Sequence, residues 1–217
     1  MRLERVTLEG KVVRLEPMTA GHNDALSEVG LDPEIWRFTV VNPKTPADMR
    51  EYVDSGLRTA DDGTGLPFVM IEKQSGRIVG STRFGNYDPA NSRIEIGWTW
   101  IARPWQRTAI NTEAKYLMLS HAFGQLGCVR VELKTDVLNE ASRRAMLRIG
   151  AREEGVLRKH TLMWTGRYRD SIYYSVLDDE WPEVKARLER LLDRGDPADG
   201  KEKPPDQGPG VFGKRAT

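Results

Sequence analysis

The stretch spanning residues 93–136 constrains the fold more than any other. It reads RIEIGWTWIA (93–102), then a helical pattern over 108–124, then CVRVELKTD (128–136). Two strands joined through a helix form a crossover unit, so they run parallel in one sheet. The strands before this unit need no crossover. LPFVMIEK (66–73) and RIVGSTRFGNY (77–87) flank the hairpin turn Gln74-Ser75-Gly76, and the strand at 93 follows the turn Asp88-Pro89-Ala90-Asn91. The chain is therefore expected to build three antiparallel strands and then take one parallel step.

The rest of the chain extends this pattern. KVVRLEP (11–17) reads as a first strand stopped by Pro17, and Thr19 is a fitting N-cap for a short helix that ends at Gly30. DPEIWRFT (32–39) reads as one helical turn. Pro46 opens a second helix to about Ala60, with Met49, Tyr52, Val53 and Leu57 at helical spacing. In the helix at 108–124, Ile110, Ala114, Leu117, Met118 and His121 or Ala122 form an apolar stripe. Val129, Val131 and Leu133 share one face of the strand after it, and a helix over 139–149 ends at Gly150. Two more strands, 155–164 and 169–177, flank the turn Thr165-Gly166-Arg167, and a last helix covers 183–192. The order predicts an α+β fold with a mixed, mostly antiparallel sheet. Residues 1–192 form one domain. The segment 193–217 is rich in Gly and Pro, with only Val211 and Phe212 strongly apolar, and reads as a flexible tail.

Composition narrows the function classes. The 33 basic and 32 acidic side chains give a net charge of +1, without the electrostatic footprint of a general nucleic-acid binder. Cys128 is the only cysteine, so neither an internal disulfide nor a cysteine metal cage is available. His22, His121 and His160 are scattered, so no metal site is expected. There is no apolar run of membrane length, and the N-terminus MRLERVTLEG is too charged for a signal peptide. A soluble cytoplasmic protein is the expectation.

The junction IARPWQRTAINTEAKYLML (101–119) holds the sharpest functional question. A strand runs into a helix, a common place to hold a phosphate, yet no glycine lies between Ile101 and Leu119. The first N–H groups of the helix are unpaired, and its dipole points its positive end at the loop. Neither property needs glycine. On residue types alone, both an anion site and a simple capped turn stay open.

Four stretches together carry a resemblance: DPEIWRF; RIEIGWTWI followed by PWQRTAINTEA; LKTDVLNEASRRAMLRIGA; and EEGVLRKHTLMWTGRYRDSIYYSVL. Over residues 11–182 the chain resembles GNAT acyl-CoA N-acyltransferases, in the branch related to ribosomal-protein N-terminal acetyltransferases (RimJ/RimL-like). The resemblance implies acetyl-CoA, or another short acyl-CoA, as co-substrate. It also implies direct transfer to a primary amine, on a protein N-terminus or a small molecule, with no metal. It assigns Gln106, Arg107, Thr108, Ala109, Ile110, Asn111 and Thr112 to the coenzyme A pyrophosphate, and Trp98, Thr99 and Trp100 to the strand that pairs with the pantetheine arm. Glu95 is implied as general base, Asn139 as a pantetheine ligand, and Ser142 as the donor to the leaving thiolate. His160 is a second candidate base, its ordinary pKa of about 6.5 suiting it to accept a proton at neutral pH. Trp36 and Phe38 would line the acceptor pocket, although core packing accounts for them about as well. Asn139 is equally a good helix N-cap.

The chain departs from the family loop, roughly Gln/Arg-x-x-Gly-x-Gly/Ala, by placing Ala109 and Asn111 at the small positions, and the helix over 139–149 lacks the tyrosine many members carry. These departures support a competing reading, a non-catalytic acyl-CoA-binding or sensor module. Members of the branch often form a homodimer, and no feature of the sequence decides this.

Overall fold

The computed structural model describes residues 3–194. The tail expected from Asp193 onward lies outside the described residues, except for Asp193 and Arg194, which close the last helix. Eight strands form one sheet: β1 (Leu8–Glu9), β2 (Val13–Pro17), β3 (Leu66–Glu72), β4 (Ile78–Asp88), β5 (Arg93–Ile101), β6 (Arg130–Asp136), β7 (Arg152–Leu162) and β8 (Tyr168–Leu177). Five α-helices accompany them: α1 (Asn23–Gly30), α2 (Pro46–Asp61), α3 (Ala109–Gly124), α4 (Glu140–Ile149) and α5 (Trp181–Asp193). The strand order is β1-β2-β3-β4-β5-β6-β8-β7, and among the described residues only β5 and β6 pair in parallel. The crossover expected from the sequence is therefore present, and α3 makes it.

Strand alternation divides the core in two. Phe68, Met70, Phe84, Ile94, Ile96, Val131, Leu133 and Tyr174 point to the side of α3, with Ile110, Ala114 and Met118 from the helix. Val69, Ile71 and Trp100 point to the other side and meet Met49, Tyr52 and Val53 of α2 and Leu26 of α1. β3 feeds both cores, which explains the unbroken apolar run in LPFVMI.

Several expectations need adjustment. A two-residue strand, Leu8–Glu9, precedes the first expected strand and pairs with it. The helix expected from Thr19 begins as a 3-10 turn, Ala20–His22, before α1. The last helix starts at Trp181, two residues early, and Val129 lies outside β6 and is exposed. α3 is more than a one-stripe helix. It packs on β1, β2, β5 and α5, and it buries Thr112, Glu113 and Lys115 as well as its apolar residues. A stripe read from hydrophobicity misses these three because each is polar, and each is buried with a hydrogen-bond partner. Among the described residues no helix is long and apolar enough to cross a membrane.

Candidate active site

The sheet opens in its middle. β5 and β6 are in register at Arg93↔Arg130, Ile94↔Val131 and Glu95↔Glu132, and the pairing then stops. Both strands continue, β5 to Ile101 against β4 and β6 to Asp136 against β8. A bulge in β5 accompanies the divergence. Between Arg83↔Gly97 and Ser81↔Trp100, Trp98 and Thr99 stand opposite the single residue Thr82. Trp98 takes φ 50°, a conformation rare for a bulky residue. Past Glu95, the flank of β5 that faces β6 has no strand partner, so an extended ligand has backbone groups to pair with.

Glu95 stands at the vertex. Ile94 and Ile96 enter the α3 core, so the carboxylate between them turns to the opposite face. It is 3% exposed. Its Oε2 accepts from Asn86 Nδ2 at 2.7 Å and from Lys134 Nζ at 2.7 Å. Its Oε1 lies over Gly97, where a Cβ would come within 2.8 Å of it. Gly97 thus leaves room for the carboxylate, and the bulge itself falls on the next two residues.

His160 shares this face. It stands in the irregular part of β7, between Leu157 and Thr161, with its ring edge-on to Tyr173 at 5.8 Å. Lys134 lies over the same Tyr173 ring at 5.5 Å, linking His160 to Glu95. The Nδ1 of His160 meets the hydroxyls of Ser171 at 3.0 Å and Thr161 at 3.1 Å. Partial burial, then the charges of Lys134 and Arg169, hold its pKa below the ordinary value, with Glu95 opposing. The imidazole is therefore neutral at pH 7 and able to take a proton. Sequence reading missed Lys134 and Tyr173. Lys134 was legible from alternation, because Val131 and Leu133 take the core face and leave Glu132 and Lys134 on the other.

The start of α3 is left open. Thr108 caps only the Ile110 N–H, at 3.4 Å, while its hydroxyl donates to Trp105 O at 2.8 Å. The N–H groups of Ala109, Ile110 and Asn111 precede the first i→i−4 bond of the helix. Arg107 just before them has φ 61°. The left-handed residue is thus Arg107, while Ala109 and Asn111 are helical, so neither needs to be glycine. A left-handed residue before a helix start turns successive N–H groups toward one point, a cradle for an anion. The N–H groups of residues 109–111 and the Arg107 charge fit a pyrophosphate, while the buried Asn111 Oδ1, an acceptor without a partner, adds nothing to the cradle.

The side chains of other residues assigned to that cradle are engaged elsewhere. The Gln106 side chain donates to Ile101 O at 2.8 Å. Ile110 is in the core, and Thr112 Oγ1 accepts from Arg148 Nη2 at 2.6 Å, tying α3 to α4. On the strand, Trp100 is in the α2 core and donates from Nε1 to Tyr52 Oη at 3.2 Å. Thr99 accepts from the buried Lys115 Nζ at 2.9 Å. Burial alone lowers the Lys115 pKa to about 7.

Across the opening, Asn139 caps α4, its Oδ1 accepting from the Ser142 N–H at 3.1 Å. Ser142 is half-buried in the first turn. Trp36 does not line a pocket. Its ring is 1% exposed, packs on Tyr52 and Trp100, and donates to Gly30 O at 2.6 Å. Phe38 is half-buried, with the Arg37 guanidinium 5.2 Å from its ring centre. The carbonyl of Trp36 accepts from Trp164 Nε1 at 3.2 Å, so the β7–β8 turn reaches over to the α1–α2 connection.

Comparison with known proteins gives consistent matches. A family profile described as "Acetyltransferase (GNAT) domain" matches residues 13–152. The Bacillus subtilis (strain 168) protein named "Putative ribosomal N-acetyltransferase YdaF" is 33% identical over 151 residues, 69% of this chain and 80% of that protein. A GCN5-related N-acetyltransferase from Brucella melitensis superposes with a TM-score of 0.81 at 35% identity, covering 88% of this chain and 87% of that one. Mycobacterium smegmatis RimJ, solved in complex with CoA-disulfide, gives a TM-score of 0.72 at 25% identity, covering 88% and 93%.

Proposed function

The chain belongs to the GNAT acetyltransferase family, and from that premise we propose that it moves an acetyl group from acetyl-CoA directly to a primary amine, on a protein N-terminus or a small molecule. The observation that carries this reading is the end of the β5–β6 pairing at Glu95 and Glu132, next to the uncapped start of α3. Bound acetyl-CoA supplies an activated acyl carbon and a thiolate leaving group. The N–H groups of residues 109–111 and the Arg107 charge hold its pyrophosphate. The unpaired flank of β5 aligns the pantetheine, and a β5 N–H near Trp98 or Thr99 polarises the thioester carbonyl.

The amine arrives as an ammonium and must lose a proton before it attacks. Glu95 takes that proton, directly or through water, held in place by Lys134 and Asn86. His160, neutral and on the same floor, is the second group able to accept it. Ser142, at the start of α4, donates toward the departing sulfur. Replacing the base should slow turnover about 10²–10⁴-fold. Glu95→Gln is expected to lose more than His160→Asn, and the reverse order would move the base role to His160.

A thermal-shift titration with acetyl-CoA, followed by free-thiol release against amines and peptides, tests the whole reading. Stabilisation followed by thiol release supports it. Stabilisation without thiol release for any acceptor would instead favour the sensor module, and no stabilisation by any acyl-CoA would contradict both.

A further inference from the structure

β4 buries a guanidinium with no anion beside it. Arg83 is 3% exposed. Its Nε is buried without a hydrogen-bond partner, and no carboxylate among the described residues pairs with it. Two rings wall it instead, Trp98 at 4.9 Å and Tyr52 at 6.0 Å. Burial pushes its pKa down and the Tyr52 phenol opposes this, but an arginine stays charged. Cation–π contacts offset only part of the desolvation of such a charge. The remainder is a standing cost that an anion would relieve.

The surroundings are shaped for this side chain. α2 runs past it at Gly56, where a Cβ would lie 2.8 Å from Arg83 Nη2. Glycine in a helix interior is destabilising relative to alanine. α2 carries this weak point where the guanidinium needs the space. Trp98, in its left-handed conformation, lays its ring over Gly85 and against Arg83 as an outer wall that is 37% exposed.

The position relative to the site gives the unpaired charge a use. Arg83 is the cross-strand partner of Gly97, on the face that carries Glu95. The space above Gly97, which has no side chain, is bordered by Glu95 Oε1 along β5 and by Arg83 across on β4. Glu95 pairs with Gly85 and Arg83 with Gly97, so the two are diagonal neighbours on this face, about 7–8 Å apart along the backbone, a gap that one residue with its side chain can bridge between the two charged groups. Lys134 already neutralises Glu95, so the Arg83 charge is left over for a ligand.

We propose that Arg83 reads an anionic group on the acceptor, so that the preferred acceptor is an amine with a carboxylate within about one residue of the reacting nitrogen. Its ammonium would face Glu95 and its carboxylate Arg83. The carboxylate has two sources, the α-carboxylate of a free amino acid or the side chain of an acidic residue beginning a peptide. The inference rests on the transfer reading above and names its substrate class.

Matched acceptors separate the sources: glycine against glycinamide, and aspartyl-alaninamide against asparaginyl-alaninamide. The wild-type protein should prefer the carboxylate member of at least one pair by tenfold or more in kcat/KM. Arg83→Gln should collapse that ratio through KM, and Arg83→Lys should keep part of it, with acetyl-CoA stabilisation as the folding control for both. No preference in the wild type, or a ratio that survives in Arg83→Gln, overturns the proposal. A binding arm does not depend on turnover. With coenzyme A present, N-acetylglycine and N-acetylaspartyl-alaninamide are each compared, in thermal shift, with their uncharged counterparts N-acetylglycinamide and N-acetylasparaginyl-alaninamide. Carboxylate-dependent stabilisation that vanishes in Arg83→Gln supports the site even if no amine is acetylated, an outcome that would remove the transfer reading alone. If neither carboxylate stabilises more than its uncharged counterpart, the site itself is contradicted.

Discussion

α3 and α4 begin on the two arms of one opening, α3 after β5 and α4 after β6, yet their first turns are finished differently. α4 is closed by its own sequence. Asn139 Oδ1 takes the Ser142 N–H at 3.1 Å, and Glu140 places an acid in the first turn. α3 has no acid in its first turn, and its cap reaches one N–H at 3.4 Å. Its nearest carboxylate, Glu113, faces away and accepts the N–H groups of Lys11, Val12 and Val13, each at 2.7 Å. Deeper in, Lys115 adds a buried amine with no acid partner. The same peptide dipole thus serves folding at α4 and is left exposed at α3. A helix start becomes a binding site through what the local side chains decline to cover.

The largest expected effect that sharpens this contrast concerns Lys115. Burial holds its amine pKa at about 7 in the folded chain, against an ordinary lysine value of 10.5. Between those values the unfolded chain binds the extra proton, so stability rises with pH across this window and is lost as pH falls toward 7. The difference in unfolding free energy between wild type and Lys115→Met, measured by urea titration from pH 7 to 10, should shift in favour of the wild type by a few kcal/mol. A difference that is flat with pH would mean the amine is not buried beneath the open helix start.

Asn111→Asp comes next and should separate binding from folding. It supplies the first-turn acid that α3 lacks, so the ligand-free protein should gain about 0.3–1 kcal/mol. The same charge repels a pyrophosphate, and acetyl-CoA affinity should fall about tenfold or more. Unchanged affinity in a calorimetric titration would place the phosphates elsewhere. Asn139→Ala is the smaller counterpart at α4. It should cost about 1 kcal/mol of stability, read by thermal unfolding, whether or not ligand is present. If it instead abolished acetyl-CoA binding without destabilising the protein, the closed helix start would be the more important site.

Much of this arrangement was legible in the sequence. The βαβ unit in 93–136 implied the parallel step, and Asn139 announced itself as a cap. Glu95 came from the resemblance, and His160 from the ordinary titration range of an imidazole. What the sequence hid depends on partners far along the chain. Trp36 looked suited to a pocket, but α2 and Trp100 enclose it. Arg83 in STRFG reads as a surface residue, because Tyr52 and Gly56, which surround it, come from a helix 20 or more residues earlier. In the loop, the family pattern has its small residues at 109 and 111, while the positive φ falls on Arg107, a residue type that gives no hint of it.

The most direct test of the central claim is a backbone amide NMR titration of the protein with coenzyme A. The account predicts that the N–H resonances of residues 107–112 shift most, as the open start of α3 takes up the pyrophosphate, with smaller shifts along residues 96–100 of β5. Largest shifts at residues 140–143, with 107–112 unmoved, would contradict it.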